Sequence, residues 1–290
     1  MELRGAVENK KFLITSEVGP PKGTNVDKIL DEAAVLKGKV NAINVTDLQS
    51  SVMKVGSLAI CRLLFERGLE PVYQLTCRDR NRLALQSDLL CASVLGIKNV
   101  LALTGDHPAL GDHPQAKPVY DLDSVQLIGA IKQLNSGYDM NGNKLDGSPD
   151  FFIGAVVNPG ADEIEPEIIK FRKKIAAGAQ FFQTQAVFDV DRFKKFMKQV
   201  KGSNVPILAG IVLLKSAGMA EYMNENIAGV HVGRNLIDEM KSVSKEDRPK
   251  KSIEIAARLI KELKPFCQGV HIMPLGWDKY VPAVLDAAGL

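Results

Sequence analysis

Cysteine is scarce in this chain. Its 290 residues include four, Cys61, Cys77, Cys91 and Cys267, and no two form a C-x-x-C pair. That argues against a structural metal or a disulfide framework and for reduced thiols in an intracellular protein. An excess of one charge is also lacking. Lys and Arg number 37 against 34 Asp and Glu, a formal net charge of +3, too little to argue for a nucleic-acid partner. The short run Arg248-Pro249-Lys250-Lys251 reads as a solvated helix start. No stretch of about 18 apolar residues exists to span a membrane. Met1–Lys11 is charged and has no apolar core of a signal peptide, so a cytoplasmic location is expected. Three motifs are missing as well: a P-loop, H-E-x-x-H, and G-x-G-x-x-G after the first strand, where Gly19-Pro20-Pro21 stands instead.

What is present is a repeated pattern, clearest in Val100-Leu101-Ala102-Leu103-Thr104-Gly105-Asp106-His107-Pro108. A short apolar run ends abruptly in turn formers, as buried parallel strands do. Strands are predicted at 11–18, 41–46, 71–76, 99–105, 151–157, 181–187, 206–214 and 269–274. Helices are predicted at 25–36, 52–66, 80–95, 123–134, 165–177, 190–200, 217–226, 245–263 and 279–287, with an extra helical piece at 235–240. Residues 135–149, rich in Asn, Gly and Asp, read as an exposed turn region. Alternating strands and helices imply right-handed crossovers and a parallel sheet. With about eight such units and no break in composition, the expectation is one domain over 1–290, an α/β (β/α)8 TIM barrel.

Barrel chemistry sits at the carboxyl ends of the strands. The exits carry Glu17, Thr46 with Asp47, Gln74 with Thr76, Thr104 with Asp106, Asn158, Gln183 with Gln185, and His271. Carboxylates among amides and hydroxyls suit a neutral, hydrogen-bonding heterocycle. A metal centre would want a cluster of His, Cys or acids, and none is seen. Glu17 follows an apolar strand and precedes residues without countercharge. It reads either as a salt-bridge or helix-dipole acid, or as a carboxylic acid held neutral to donate a proton. Asp106 reads either as a turn cap or as a site carboxylate, and Gly105 before it as room for a ligand to approach. Gln183 and Gln185 flank Thr184 and so share one strand face, where unpaired polar groups are costly. Lys170, Lys173 and Lys174 read as a solvated helix face or as phosphate contacts. His107, His113, His231 and His271 show no ligand spacing. Trp277 and Tyr280 read as packing, or Trp277 as a stacking surface.

Five segments in this order resemble the methylenetetrahydrofolate reductase family. They are Ser16-Glu17-Val18-Gly19-Pro20-Pro21, Leu75-Thr76-Cys77, Leu101-Ala102-Leu103-Thr104-Gly105-Asp106, the segment from Lys173-Lys174 to Ala177-Gly178-Ala179, and Gln183-Thr184-Gln185-Ala186-Val187-Phe188-Asp189. The resemblance covers essentially the whole chain and is to the short bacterial form. It implies a flavin-binding (β/α)8 barrel that reduces 5,10-methylenetetrahydrofolate to 5-methyltetrahydrofolate, in one-carbon metabolism and methionine biosynthesis. By position it implies Glu17 as the acid that protonates N10, and Asp106 as the carboxylate near flavin and pterin. It further implies Gln185, with Gln183, as folate-binding. Thr46, Gln74, Thr104, Gly105, Asp106, Asn158, Ala161, Glu167, Lys170, Lys173 and Lys174 align with flavin-contacting positions. Thr104 stands where the family often has arginine, and Gln74 and Asn158 where it has histidine. Met219 lies near an expected glutamine, and Leu275-Gly276-Trp277 lacks an arginine seen in some members. FAD and FMN therefore both stay open, as do NADH, NADPH or an electron-donating partner subunit as the donor. A homo- or hetero-oligomer is expected. Two other readings stay open: a flavin-binding electron-transfer subunit active only with a partner, and a flavin-free pterin-binding methyltransferase barrel.

Overall fold

The computed structural model describes residues 2–290. Eight parallel strands close into one barrel in sequence order, β1 pairing with both β2 and β8. The strands are β1 (Leu13–Val18), β2 (Ala42–Val45), β3 (Pro71–Thr76), β4 (Asn99–Leu103), β5 (Phe152–Val157), β6 (Phe181–Ala186), β7 (Ile207–Val212) and β8 (Gly269–Met273). Helices α1 (Leu3–Glu8), α2 (Asp27–Ala34), α3 (Ser57–Glu66), α4 (Arg82–Val94) and α5 (Ser124–Asn135) belong to the first half. Those of the second half are α6 (Ile164–Ala177), α7 (Val190–Gln199), α8 (Ala217–Asn226), α9 (Arg234–Lys241), α10 (Arg248–Leu263) and α11 (Val281–Ala288). The expected (β/α)8 barrel is thus the observed one.

Strand alternation divides the side chains between two cores. Val18, Ile43, Val45, Tyr73 and Leu75 face outward and pack with the helices in the large core. Inside the barrel, Leu13, Ala42, Val72, Leu101, Phe152, Phe181 and Leu208 form a separate apolar layer at its amino-terminal end. The Phe152 and Phe181 rings stack there with centroids 5.1 Å apart. Gly154 makes room for that pair, since a Cβ on it would lie 2.3 Å from the Phe181 ring.

Two differences from the sequence expectations have local causes. The charged start of the chain contains α1, whose Leu3 and Ala6 are three residues apart on one face and join the inner apolar layer. It closes the barrel floor, and the Leu3 amide donates to Glu70 at 3.0 Å. The helix expected from residue 52 begins at Ser57 instead. Residues 48–51 make a tight turn, with Leu48, Ser50 and Ser51 in the left-handed region, and the Val55 amide donates to the Pro21 carbonyl. These residues are thereby drawn across the β1 exit. No described helix is long and apolar enough to cross a membrane.

Candidate active site

The upper half of the barrel interior is polar. Continuing inward from Leu13, β1 presents Thr15 and Glu17. Asn44 follows Ala42 on β2, and Gln183 and Gln185 follow Phe181 on β6. Thr15, Asn44, Gln183 and His271 are all at most 4% exposed, so each needs a partner. Asn44 Nδ2 donates to Gln183 Oε1 at 2.7 Å, and Gln183 Nε2 donates to Asn44 Oδ1 at 3.0 Å and Thr15 Oγ1 at 3.2 Å. Thr15 Oγ1 lies 3.0 Å from His271 Nδ1, and His271 Nε2 lies 3.6 Å from Glu17 Oε2. Gln183 thus spends its amide on the barrel's own interior.

Above this layer opens a hollow of about 600 Å³. Glu17 and Asp106 both line it, with Gln74, Thr104, Gly105, Asn158, Glu167, Lys170, Lys174, Gln183 and Gln185. Most of the residues singled out in the sequence therefore meet in one space. Leu101, Leu103, Val156 and Met273 supply its apolar wall. The Gln74 carboxamide makes no hydrogen bond with any described residue, and the Gln185 Oε1 accepts only from the next backbone amide, at 3.2 Å. Gln185 sits in the register shift between β6 and β7. There Thr184 Oγ1 accepts from the Gly210 amide and donates to the Gln185 carbonyl. Such a bulge re-aims a side chain beside a site.

Asp106 is exposed at the hollow's rim, and its carboxylate accepts no hydrogen bond from the described residues. The turn after it is capped by His107, whose Nδ1 accepts from the Ala109 amide, so capping does not explain Asp106. Its backbone is fixed by Arg78, 2% exposed, which donates to the carbonyls of Asp106 (3.2 Å) and Leu48 (3.2 Å) and to Ser51 Oγ (3.0 Å). One guanidinium ties the exits of β2, β3 and β4 together. Nothing in the sequence around Arg78 distinguished it from an ordinary surface arginine. Gly105 has φ +91°, and a Cβ there would meet Arg78 Cβ at 3.0 Å and Thr76 Cβ at 3.2 Å. The glycine is required by this packing and backbone rather than by a ligand's approach.

Three residues of the expected flavin set lie elsewhere. Along α6, Glu167, Lys170 and Lys174 share one face, while Lys173 falls off it and is exposed on the outside. Ala161 lies in the β5–α6 loop, donating to the Asn158 carbonyl at 3.3 Å, and does not line the hollow. Thr46 is 2% exposed with an unpartnered hydroxyl. It faces the β1 exit loop, where a Cβ on Gly19 would come within 3.8 Å of its Oγ1. Asp47 is consumed structurally, accepting from the Thr76 amide (3.0 Å) and from Arg80 (2.8 Å). Asn158 is committed to loop contacts, donating to the Ala228 carbonyl in the segment after α8 and accepting from the Gly160 amide of its own loop. Lys174 Nζ donates to the Val156 carbonyl at 2.7 Å, and burial lowers its pKa despite nearby Glu167. Trp277 packs edge-on against Tyr280 and lines neither this hollow nor its neighbour.

Glu17 also lines that neighbouring hollow, of about 390 Å³, between the β1 and β8 exits. Asp278 lies on its wall with one buried, unpartnered oxygen. Burial raises the Asp278 pKa to about 6, with Glu32 and Glu17 adding to the shift. A further hollow, of about 450 Å³, opens at the barrel's amino-terminal end. There Asn99 donates to Glu70 at 2.8 Å, and this end of such barrels serves stability. No group of three or more potential metal ligands occurs among the described residues.

Comparison with known proteins bears on the family and the fold. A methylenetetrahydrofolate reductase 2 of Schizosaccharomyces pombe is 26% identical over 320 residues, covering 100% of this chain and 47% of its own length. A 5,10-methylenetetrahydrofolate reductase of Pectobacterium carotovorum is 28% identical over 220 residues, covering 73% of this chain and 65% of its own. The chain therefore spans about half to two thirds of these relatives. A Clostridium thermocellum protein described as binding two copies of 5-methyl-5,6,7,8-tetrahydrofolic acid shares the fold, with a TM-score of 0.64 at 18% identity, covering 99% of this chain and 97% of its own. The profile of the Methylenetetrahydrofolate reductase family matches residues 2–289, and the chain belongs to that family.

Proposed function

We propose that this chain reduces 5,10-methylenetetrahydrofolate to 5-methyltetrahydrofolate with a flavin held in the upper hollow. The observation that carries the reading is the meeting of Glu17, Asp106 and the available carboxamides of Gln74 and Gln185 around one space. That space suits a flavin. It has an apolar wall for a flat ring, amides for the ring's hydrogen-bonding edge, and the ammonium groups of Lys170 and Lys174 on α6 for phosphate. When bound, a reduced flavin supplies hydride from N5 to the iminium carbon of the substrate.

The residues do the rest. Glu17 donates its proton to N10, which opens the folate's five-membered ring and exposes that carbon. Its 7% exposure keeps the acid out of bulk water while one side borders the hollow. Asp106 presents an unshared carboxylate to the N–H edge of the pterin, and Gln185 hydrogen-bonds the same substrate. Gln183 orients the layer beneath. Gln74 and Thr104 hold the ring of the flavin, and Glu167 fixes Lys170 at 3.4 Å.

The test supplies the chain with FMN or FAD and a chemically reduced dye, which bypasses the choice among NADH, NADPH and a partner subunit. Formation of 5-methyltetrahydrofolate is expected. A chain that takes up neither flavin, or takes one up and leaves the folate unchanged, would contradict the proposal.

A further inference from the structure

The acid at the β1 exit does not stand alone. Its nearest ring nitrogen belongs to His271 on β8, in the strand that closes the barrel against β1. His271 is 4% exposed, and the other ring nitrogen meets Thr15, which is fully buried. Thr15 is closed off from water, while His271, like Glu17, borders the hollow. The direction of each Thr15 bond is therefore set by the interior, and it can be followed from the amide pair outward.

Gln183 Oε1 accepts from Asn44 Nδ2, so Gln183 Nε2 is a donor on both its remaining contacts, Asn44 Oδ1 and Thr15 Oγ1. Having accepted from Gln183, the Thr15 hydroxyl has its own proton for His271 Nδ1. With that proton directed at it, Nδ1 is the acceptor nitrogen of the ring. In that arrangement the ring proton sits on Nε2, the nitrogen 3.6 Å from Glu17 Oε2. We propose that His271 is a positioning residue for Glu17. The chain Asn44–Gln183–Thr15 holds its imidazole as the Nε2–H tautomer, with that N–H aimed at one carboxyl oxygen. The other oxygen is left to carry the proton toward the hollow, and the N–H steadies the carboxylate once the proton has gone. No group changes oxidation state and no proton is created: the proton lost by Glu17 is the one gained by N10.

The inference rests on Glu17 acting as the acid, and its test separates the two claims. The tautomer is read without turnover, from the ¹⁵N chemical shifts of the imidazole nitrogens in the flavin-loaded protein. The chain has four histidines, and the resonances lost in His271→Gln identify the right ring. The expected result is a protonated Nε2 and an unprotonated Nδ1. A protonated Nδ1 would mean that Thr15 accepts from the ring as well as from Gln183, and would overturn the proposal.

The use of the N–H is read from variants. His271→Leu is expected to slow the folate half-reaction roughly ten- to a hundredfold, the usual loss for a hydrogen bond to a charged group. The drop should fall on kcat rather than KM. His271→Gln, which keeps an N–H near the position of Nε2, should restore most of it, as should Thr15→Ser relative to Thr15→Val. Equal folate rates in His271→Leu and wild type would overturn the proposal, as would an equally low rate in His271→Gln, which marks a packing role. If the wild-type chain reduces no folate, the functional reading fails together with the use of the N–H. The tautomer measurement would still decide the placement of the proton.

Discussion

Glu17 and Asp106 are carboxylates with opposite environments. Glu17 is buried beside an imidazole, while Asp106 is exposed and bonded through its backbone alone. Their replacement should therefore separate folding from function differently. Asp106→Asn removes a charge that no described residue shares, so its stability should stay within about 0.5 kcal/mol of wild type. Its folate affinity or flavin reactivity should change. Equal rates and affinities in both half-reactions would show that the carboxylate touches neither ligand. A third acid, Asp278, predicts a pH effect. Burial raises its pKa from 3.8 to about 6. Below about pH 4 the folded and unfolded chains both hold this proton; between there and about pH 6 only the folded chain does. Stability should fall as the pH rises through that window, by up to about 3 kcal/mol, and then level off. Asp278→Asn should be more stable than wild type near pH 7 and converge with it near pH 4, as read by urea unfolding at each pH. A constant difference across the window would refute that assignment.

At the scale of elements, the strand exits were legible because two local rules govern them. Short apolar runs mark buried parallel strands, and alternation fixes which residues share a face. That was enough to place Gln183 and Gln185 together and to set Glu17, Gln74 and Asp106 around one rim. What stayed hidden depends on contacts that no local rule encodes. Thr15 and His271 are 256 positions apart and become neighbours only when β8 closes on β1. Arg78 gains its role from three carbonyl and hydroxyl partners on other exits. Lys173 and Lys174 are adjacent in sequence, and only the helix packing decides that the second faces inward. The left-handed residues of the β2 exit were invisible for the same reason: Leu48 and Ser51 do not by type demand that backbone.

The whole molecule is a barrel whose interior changes character along its axis. Hydrocarbon fills the floor, a bonded layer of amide, hydroxyl and imidazole lies above it, and the open hollow lies above that. The floor provides rigidity and the upper layer aims groups. Leu3, fully buried, is the part of α1 that plugs the floor. Leu3→Ala should lower unfolding free energy by about 2–5 kcal/mol, seen as a lower urea midpoint. The folded fraction should keep its catalytic rates, because the plug lies at the end away from the hollow. Loss of folate turnover without loss of stability would mean that the two ends are coupled.

The central claim is that Glu17 supplies the proton that opens the folate ring. Anaerobic mixing of 5,10-methylenetetrahydrofolate with reduced, flavin-loaded Glu17→Gln tests it most directly. The account predicts that a reduced dye fills this variant's flavin at the wild-type rate, and that reoxidation by the folate slows about 10²- to 10⁴-fold. Reoxidation at the wild-type rate would contradict it.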